Sequence, residues 1–295
     1  MSNEKINKLQ SFLKKEDLDA LAIVPGSNFF YLTGGNFHLL ERPTVLLISK
    51  TNKPIAILPV LEVDSFEKLK LDVDIFEWQD SDGYQSAFDK AFQKIGSLPT
   101  IGIEGQRMRV FESQAIEKAA NKIKIINAHK LISRIRLTKD VEEIEKLKKA
   151  IDIAEKSLEK TLQYVEVGKT EIEIKNFLIQ QLYNYGAEGI AFDPIVLASD
   201  NSALPHGHSR KDYKIKKGDC LLFDFGAIVD GYNSDITRTF FIESVSEEYK
   251  NIYQAVYDAN AIGLKISKPK LSLHELDDNV LNSLADSGYS DLIVH

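Results

Sequence analysis

Intrachain disulfide bonding is excluded at the outset. The 295-residue chain carries a single cysteine, Cys220, so no intrachain disulfide framework exists, and a reducing, cytoplasmic compartment is the natural expectation. Long hydrophobic runs are also missing. The longest apolar stretches are Ala20 to Val24, Thr44 to Ile48 and Pro54 to Val60, well below the roughly 20 residues that cross a bilayer. They have the length of buried strands, and no membrane partner is expected. The N-terminal MSNEKINKLQSFLKKEDLDA is charged and amphipathic and contains no apolar targeting core. An excess of positive charge is lacking too. With 37 basic and 44 acidic residues the formal charge is -7, which argues against a nucleic-acid footprint.

What is present suffices for two cores. Hydrophobic residues make up 43% of the chain, enough to bury a sizeable interior, and 295 residues correspond to about two domains at roughly 100–200 residues each. The first part mixes types. Ile6, Leu9, Phe12 and Leu13 recur at helical spacing over about residues 5–15, ahead of the strand Ala20 to Val24. The runs TVLLIS and PIAILPV, joined across Lys50 to Lys53, predict a hairpin. A helix at Tyr84–Ile95, a strand at Thr100–Ile103, a helix at Val110–Asn121 and a strand at Lys124–Ile126 follow. This pattern predicts an α/β domain over residues 1–130.

The second part, residues 131–295, opens on a long helix. Asp140 and Glu143 form a D-x-x-E capping pattern, and Val141, Ile144, Leu147, Ile151, Ala154 and Leu158 share a stripe. Gly168 interrupts it. Thr170 and Glu173 then form a second capping box, for a helix carrying Ile174, Phe177, Leu178 and Leu182 as far as Gly186.

The segment 218–242, GDCLLFDFGAIVDGYNSDITRTFFI, holds the chemistry. Asp230-Gly231 is a dipeptide favoured in a two-residue type I′ turn. With that turn, Val229 faces Tyr232, Gly226 faces Asp235, and Asp224 faces Thr237. Side chains alternate with period two, so Asp224, Gly226, Asp235 and Thr237 share one face, and the two aspartates become diagonal neighbours about 7–8 Å apart. Two unpaired carboxylates in apolar surroundings repel and resist desolvation. A divalent cation pair removes both objections, with Gly226 leaving room for an ion. The alternative is that the aspartates are solvated on an open sheet face or paired with Arg238 or a lysine.

Asp224-Phe-Gly226 followed by Gly231-Tyr232-Asn-Ser234-Asp235-Ile-Thr237-Arg238-Thr239 resembles the metal-binding hairpin of the Xaa-Pro aminopeptidase/prolidase family. The resemblance implies that Asp224 and Asp235 are ligands of two divalent ions, manganese first, with cobalt or zinc able to substitute. Pro194-Ile-Val196, Ala198-Ser199, Asn201, Ala203 and Pro205-His206 resemble the family segment ending in a substrate-contacting histidine, which assigns His206 a substrate-binding and catalytic role. His208 reads as an exposed loop residue. LDALAIVPGSNFFYLTG and GGNFHLLERPTVLLI resemble the creatinase-type N-terminal domain. There Phe29, Tyr31, His38 and Arg42 fall either near a substrate entrance or, better supported, in core or subunit contacts.

The implied architecture is an α/β N-terminal domain plus an α+β pita-bread catalytic domain. The implied activity is hydrolysis of X–Pro bonds in peptides, as dipeptidase or aminopeptidase, by a homodimer. The family uses two aspartates, one histidine and two glutamates as metal ligands. Asp-Leu-Ile-Val-His295 resembles the start of its H-x-x-G-H-G strand, which gives His295 a catalytic role. The expectation is therefore a chain that stops before its metal site is complete, and is inactive as it stands. A creatinase-like non-metal hydrolase, a methionine aminopeptidase and a catalytically dead binding module are the rival readings. Asp224 and Asp235 count against the first, and the N-terminal domain with Ser-Asp-Ile-Thr-Arg against the second.

Overall fold

The computed structural model describes residues 2–120 and 122–293. The chain divides into two compact units, Met1–Val141 and Glu142–His295.

The first unit runs α1 (Ser2–Leu13), β1 (Ala20–Ile23), α2 (Ser27–Thr33), β2 (Val45–Ser49), β3 (Ile55–Pro59), α3 (Val60–Glu67), β4 (Asp74–Trp78), α4 (Gln85–Ile95), β5 (Thr100–Ile103), α5 (Val110–Ala119), β6 (Lys124–Asn127) and α6 (His129–Arg134). Its mixed sheet has the order β4-β3-β2-β1-β5-β6. The expected hairpin across Lys50 to Lys53 is the antiparallel β2–β3 pair. Both faces of the sheet are covered, which explains the uninterrupted apolar runs. Ala20, Ala22, Val45 and Leu47 pack with Phe88 and Phe92 of α4, while Leu21, Ile23, Leu46 and Ile48 pack with Leu9 and Leu13 of α1. Helix α6, which spans residue 130, packs its fully buried Ile132 into the second of these cores. Phe29 is a core residue and Lys5 lies over the Tyr31 ring. His38 is exposed, and Arg42 pairs with Asp80.

One buried carboxylate organises this unit. Glu104 accepts from the Val24 amide and from Asn28 Nδ2, at 2.9 and 2.8 Å. Burial pushes its carboxyl pKa up. Asn28 in turn accepts from Arg136 Nε at 2.8 Å.

The second unit begins with α7 (Val141–Leu162) and α8 (Glu171–Asn184), followed by β7 (Gly189–Ile190) and β8 (Ile195–Ala198). A 3-10 turn at Ser199–Ala203 leads to β9 (Cys220–Phe225), β10 (Ala227–Val229), β11 (Tyr232–Asn233) and β12 (Ile236–Phe241), then α9 (Glu247–Ile266) and α10 (Leu273–Asp286). Two small antiparallel sheets result, ordered β11-β10-β7 and β12-β9-β8. Leu221, Phe223 and Phe225 of β9 face α7 and α8 in one core.

The buried face of α7 differs from the expected stripe. Val141, Ile144 and Ile151 are exposed, and the helix buries Glu143, Ala150, Ile153, Ala154, Ser157, Leu158 and Thr161. Polar residues can occupy this face because each is satisfied. Ser157 and Thr161 donate to the carbonyls of Ile153 and Ser157, both at 2.7 Å, and Glu143 accepts from the Tyr232 hydroxyl. Near the end of the chain, Ser290–Leu292 form a single 3-10 turn and Ile293 is extended; the strand-like run expected over Leu292 to Val294 is only partly covered. Val294 and His295 lie outside the described residues.

The capping box at α8 forms as the sequence predicts. Thr170 Oγ1 accepts from the Glu173 amide at 3.3 Å, and Glu173 Oε2 accepts from the Thr170 amide at 2.7 Å. Thr170→Ala is expected to destabilise this unit by about 1 kcal/mol, read from the urea midpoint of the helical signal; an unchanged midpoint would show that the cap is dispensable.

Candidate metal and substrate site

The hairpin turn sets the geometry. Asp230 and Gly231 both have positive φ, 48° and 75°, as a type I′ turn requires. Val229 pairs with Tyr232, and Thr237 pairs with Asp224 beside the Ile236–Phe225 pair. The expected register therefore holds along both arms. Within β9 the alternation is strict. Leu221, Phe223 and Phe225 are buried, whereas Cys220, Leu222 and Asp224 lie half-buried on the opposite face.

Gly226 has a different reason from the expected one. A Cβ there would lie 1.8 Å from the Ser234 carbonyl oxygen, so the glycine permits close approach of two backbones rather than reserving room for an ion. Ser234 is buried. Its amide donates to the Ala227 carbonyl and its hydroxyl accepts from the Ala227 amide, both at 2.9 Å. This pinch separates β9 from β10 and β11 from β12, handing the hairpin from one sheet to the other. Asp235 is exposed just beyond it.

Asp224 accepts a hydrogen bond from Thr237 Oγ1 at 3.1 Å. Arg238 does not pair with it but donates to the Thr237 carbonyl. Among the described residues neither aspartate forms an ion pair with a lysine or arginine. Burial pushes the Asp224 carboxyl pKa up; the Thr237 hydroxyl pulls it down, the Asp235 carboxylate raises it, and His206 lowers it. Two oxygen-donor carboxylates, one of them desolvated and lacking a cationic partner, are a donor set that fits a hard divalent cation. Among the described residues no group of three or more His, Cys, Asp or Glu side chains is arranged to hold a metal.

His206 sits exposed in the turn after the 3-10 segment. The loop that carries it is joined to β9 through the Ser202 Oγ–Cys220 Sγ contact at 3.0 Å, and the His206 charge lowers the Asp224 carboxyl pKa. His208 is also exposed, and its carbonyl accepts from Asn201 Nδ2 at 3.0 Å. His295, the other expected catalytic residue, lies outside the described residues.

Sequence reasoning passed over Glu171. This first residue of α8 is fully buried. It accepts from the Ala198 amide at 2.7 Å, from Asn201 Nδ2 at 2.9 Å and from Arg210 Nη2 at 2.9 Å. The only local signal was an acidic residue at a helix start, which capping preferences explain without further role. Its partners lie 27 to 39 residues away.

The model of metallopeptidase family M24 matches residues 145–295, and that of the creatinase/prolidase N-terminal domain matches residues 5–138. An uncharacterized peptidase of Staphylococcus aureus (strain USA300) is 29% identical over 291 residues, covering 99% of this chain and 81% of the relative. A prolidase from Thermococcus sibiricus superposes with a TM-score of 0.92 at 29% identity, covering 100% of this chain and 80% of its own. An X-Pro aminopeptidase from Thermotoga maritima superposes with a TM-score of 0.80 at 29% identity, covering 97% and 78%.

Two outcomes test this geometry. Gly226→Ala is expected to cost about 1–3 kcal/mol in denaturant unfolding, since the contacted atom is backbone; wild-type stability would mean that the pinch relaxes freely. Asp235→Asn is expected to lower the Asp224 pKa, followed by carboxyl ¹³C NMR. Because folding raises this pKa, the native state holds the proton more tightly than the unfolded chain, and this group's contribution to stability falls as pH rises between the two values. No response of Asp224 to Asp235→Asn would place the two carboxylates too far apart to share a site.

Proposed function

The chain belongs to metallopeptidase family M24, behind a creatinase/prolidase N-terminal domain, and from that premise we propose that it is a cytoplasmic, homodimeric peptidase cleaving X–Pro bonds. The observation that carries the reading is the pair Asp224 and Asp235 on one face of a hairpin whose turn fixes their register. These two carboxylates hold two divalent ions, and the all-oxygen donors favour manganese, with cobalt or zinc as substitutes. When bound, the ions polarise the peptide carbonyl and make water a stronger acid.

The remaining work belongs to the chain's own residues. Asp224 is kept oriented by the Thr237 hydroxyl. His206, on the adjoining turn, donates a hydrogen bond to the substrate's developing oxyanion or moves a proton there, and His295 joins it in that role. The named prolidase and X-Pro aminopeptidase are equally similar in sequence, at 29% each, so substrate length is decided by assay.

The test is hydrolysis of an X–Pro dipeptide and of a longer X–Pro peptide by the protein, with and without manganese. Metal-dependent cleavage, reduced about a hundredfold or more in Asp224→Asn and in Asp235→Asn, is the expected result. Cleavage indifferent to metal and to both substitutions would favour a creatinase-like hydrolase. No cleavage under any condition would favour a binding module.

A further inference from the structure

The segment between β8 and β9 has little regular structure, yet it carries His206. After the 3-10 turn at Ser199–Ala203 there is no strand until β9, and Leu204, Pro205 and His206 are exposed. A solvent-exposed loop holds a side chain poorly unless its ends are fixed. Here both ends are fixed to one atom group. The Glu171 carboxylate takes the Ala198 amide where the loop leaves β8, and the Arg210 amide where the loop returns. Between them it takes Asn201 Nδ2, whose second proton goes to the His208 carbonyl. The Asn201 carbonyl also accepts from the Leu204 amide at 3.1 Å, and the Leu204 carbonyl accepts from the Gly207 amide at 3.1 Å. The turn bearing His206 is thus closed on Asn201, and Asn201 is held by Glu171.

We propose that Glu171 is a positioning residue for His206, acting through Asn201 and Arg210 to hold the 199–210 loop in the one arrangement that fixes the imidazole relative to the strand bearing Asp224. The proposal rests on the reading of His206 as substrate-contacting. Desolvation supports it. A fully buried carboxylate is tolerable only when its charge and lone pairs are matched, and Glu171 receives main-chain, amide and guanidinium donors together. Arg210 ties the same point to the loop start, donating to the Ala198 carbonyl at 2.8 Å and to Asp200 at 3.0 Å. Its guanidinium is stacked over the Tyr213 ring, 4.0 Å from the centroid. The arrangement is specific to carboxylate. An amide at position 171 would point N–H groups at N–H groups.

The experiment needs neither metal nor substrate. In histidine-labelled protein, with the His206 ring signals assigned through His206→Gln, the movement of those signals on Asp224→Asn is measured in the parent and in Glu171→Gln. Amide hydrogen exchange across Asn201–Arg210 is followed alongside. The movement is expected to fall by more than half in Glu171→Gln, and exchange in the loop to accelerate at least about tenfold, while β9 amides stay protected. A merely structural role would speed exchange throughout the unit and leave the movement intact. Asn201→Ala, which removes only the central link, is the second variant and decides alone if Glu171→Gln does not fold. An undiminished movement in the folded variants overturns the proposal. Because no turnover is read, absence of X–Pro cleavage would sink the peptidase assignment without touching this result, and the reverse also holds.

Discussion

Everything at the site depends on the phase of one hairpin. Two positive-φ residues, Asp230 and Gly231, force a two-residue turn, and a two-residue turn leaves one register. A slip by a single residue would carry Asp224 to the face now occupied by Phe223 and Phe225, both fully buried, and bring the phenylalanines out. That exchange costs a buried charge and two lost aromatic anchors at once. The turn and the core therefore enforce the same answer, and the chemistry inherits its direction from both.

Buried carboxylates do the complementary work of fixing what has no ladder. Glu104 in the first unit and Glu171 in the second each accept a main-chain amide just beyond or at a strand end and an asparagine amide nearby. They differ in compensation. Glu171 is matched by the Arg210 guanidinium at 2.9 Å, whereas burial drives the Glu104 carboxyl pKa upward. In each case a short irregular segment is tied to a regular element by a single desolvated group, so the segment holds its shape without a core of its own.

How much of this was legible follows from range. The hairpin register, the α8 capping box and the β2–β3 pair are local, and each could be read within a window of a few residues. So could the family resemblance, because the aspartates and their turn are contiguous. The α7 face was misread because hydroxyls that return bonds to their own helix can be buried, which an apolar-stripe criterion does not register. Gly226 was assigned the wrong purpose because the pinch against Ser234 is a contact between backbones. Glu171 was invisible for a simpler reason: its meaning resides in partners across the loop, and its own neighbourhood explains it as a helix-start residue.

The short loop between the two aspartate-bearing arms has a kinetic consequence. Asp224 and Thr237 are 13 residues apart, while Glu171 and Arg210 are 39 apart. Closing the shorter segment loses less chain entropy, and hairpins of this size form in about 1–10 μs. The carboxylate pair accordingly comes together early in folding, as a local nucleus, and the loop carrying His206 is fastened to it only once distant segments have met. Assembly of this region is ordered in time by sequence separation, with the aspartate hairpin preceding the 199–210 loop.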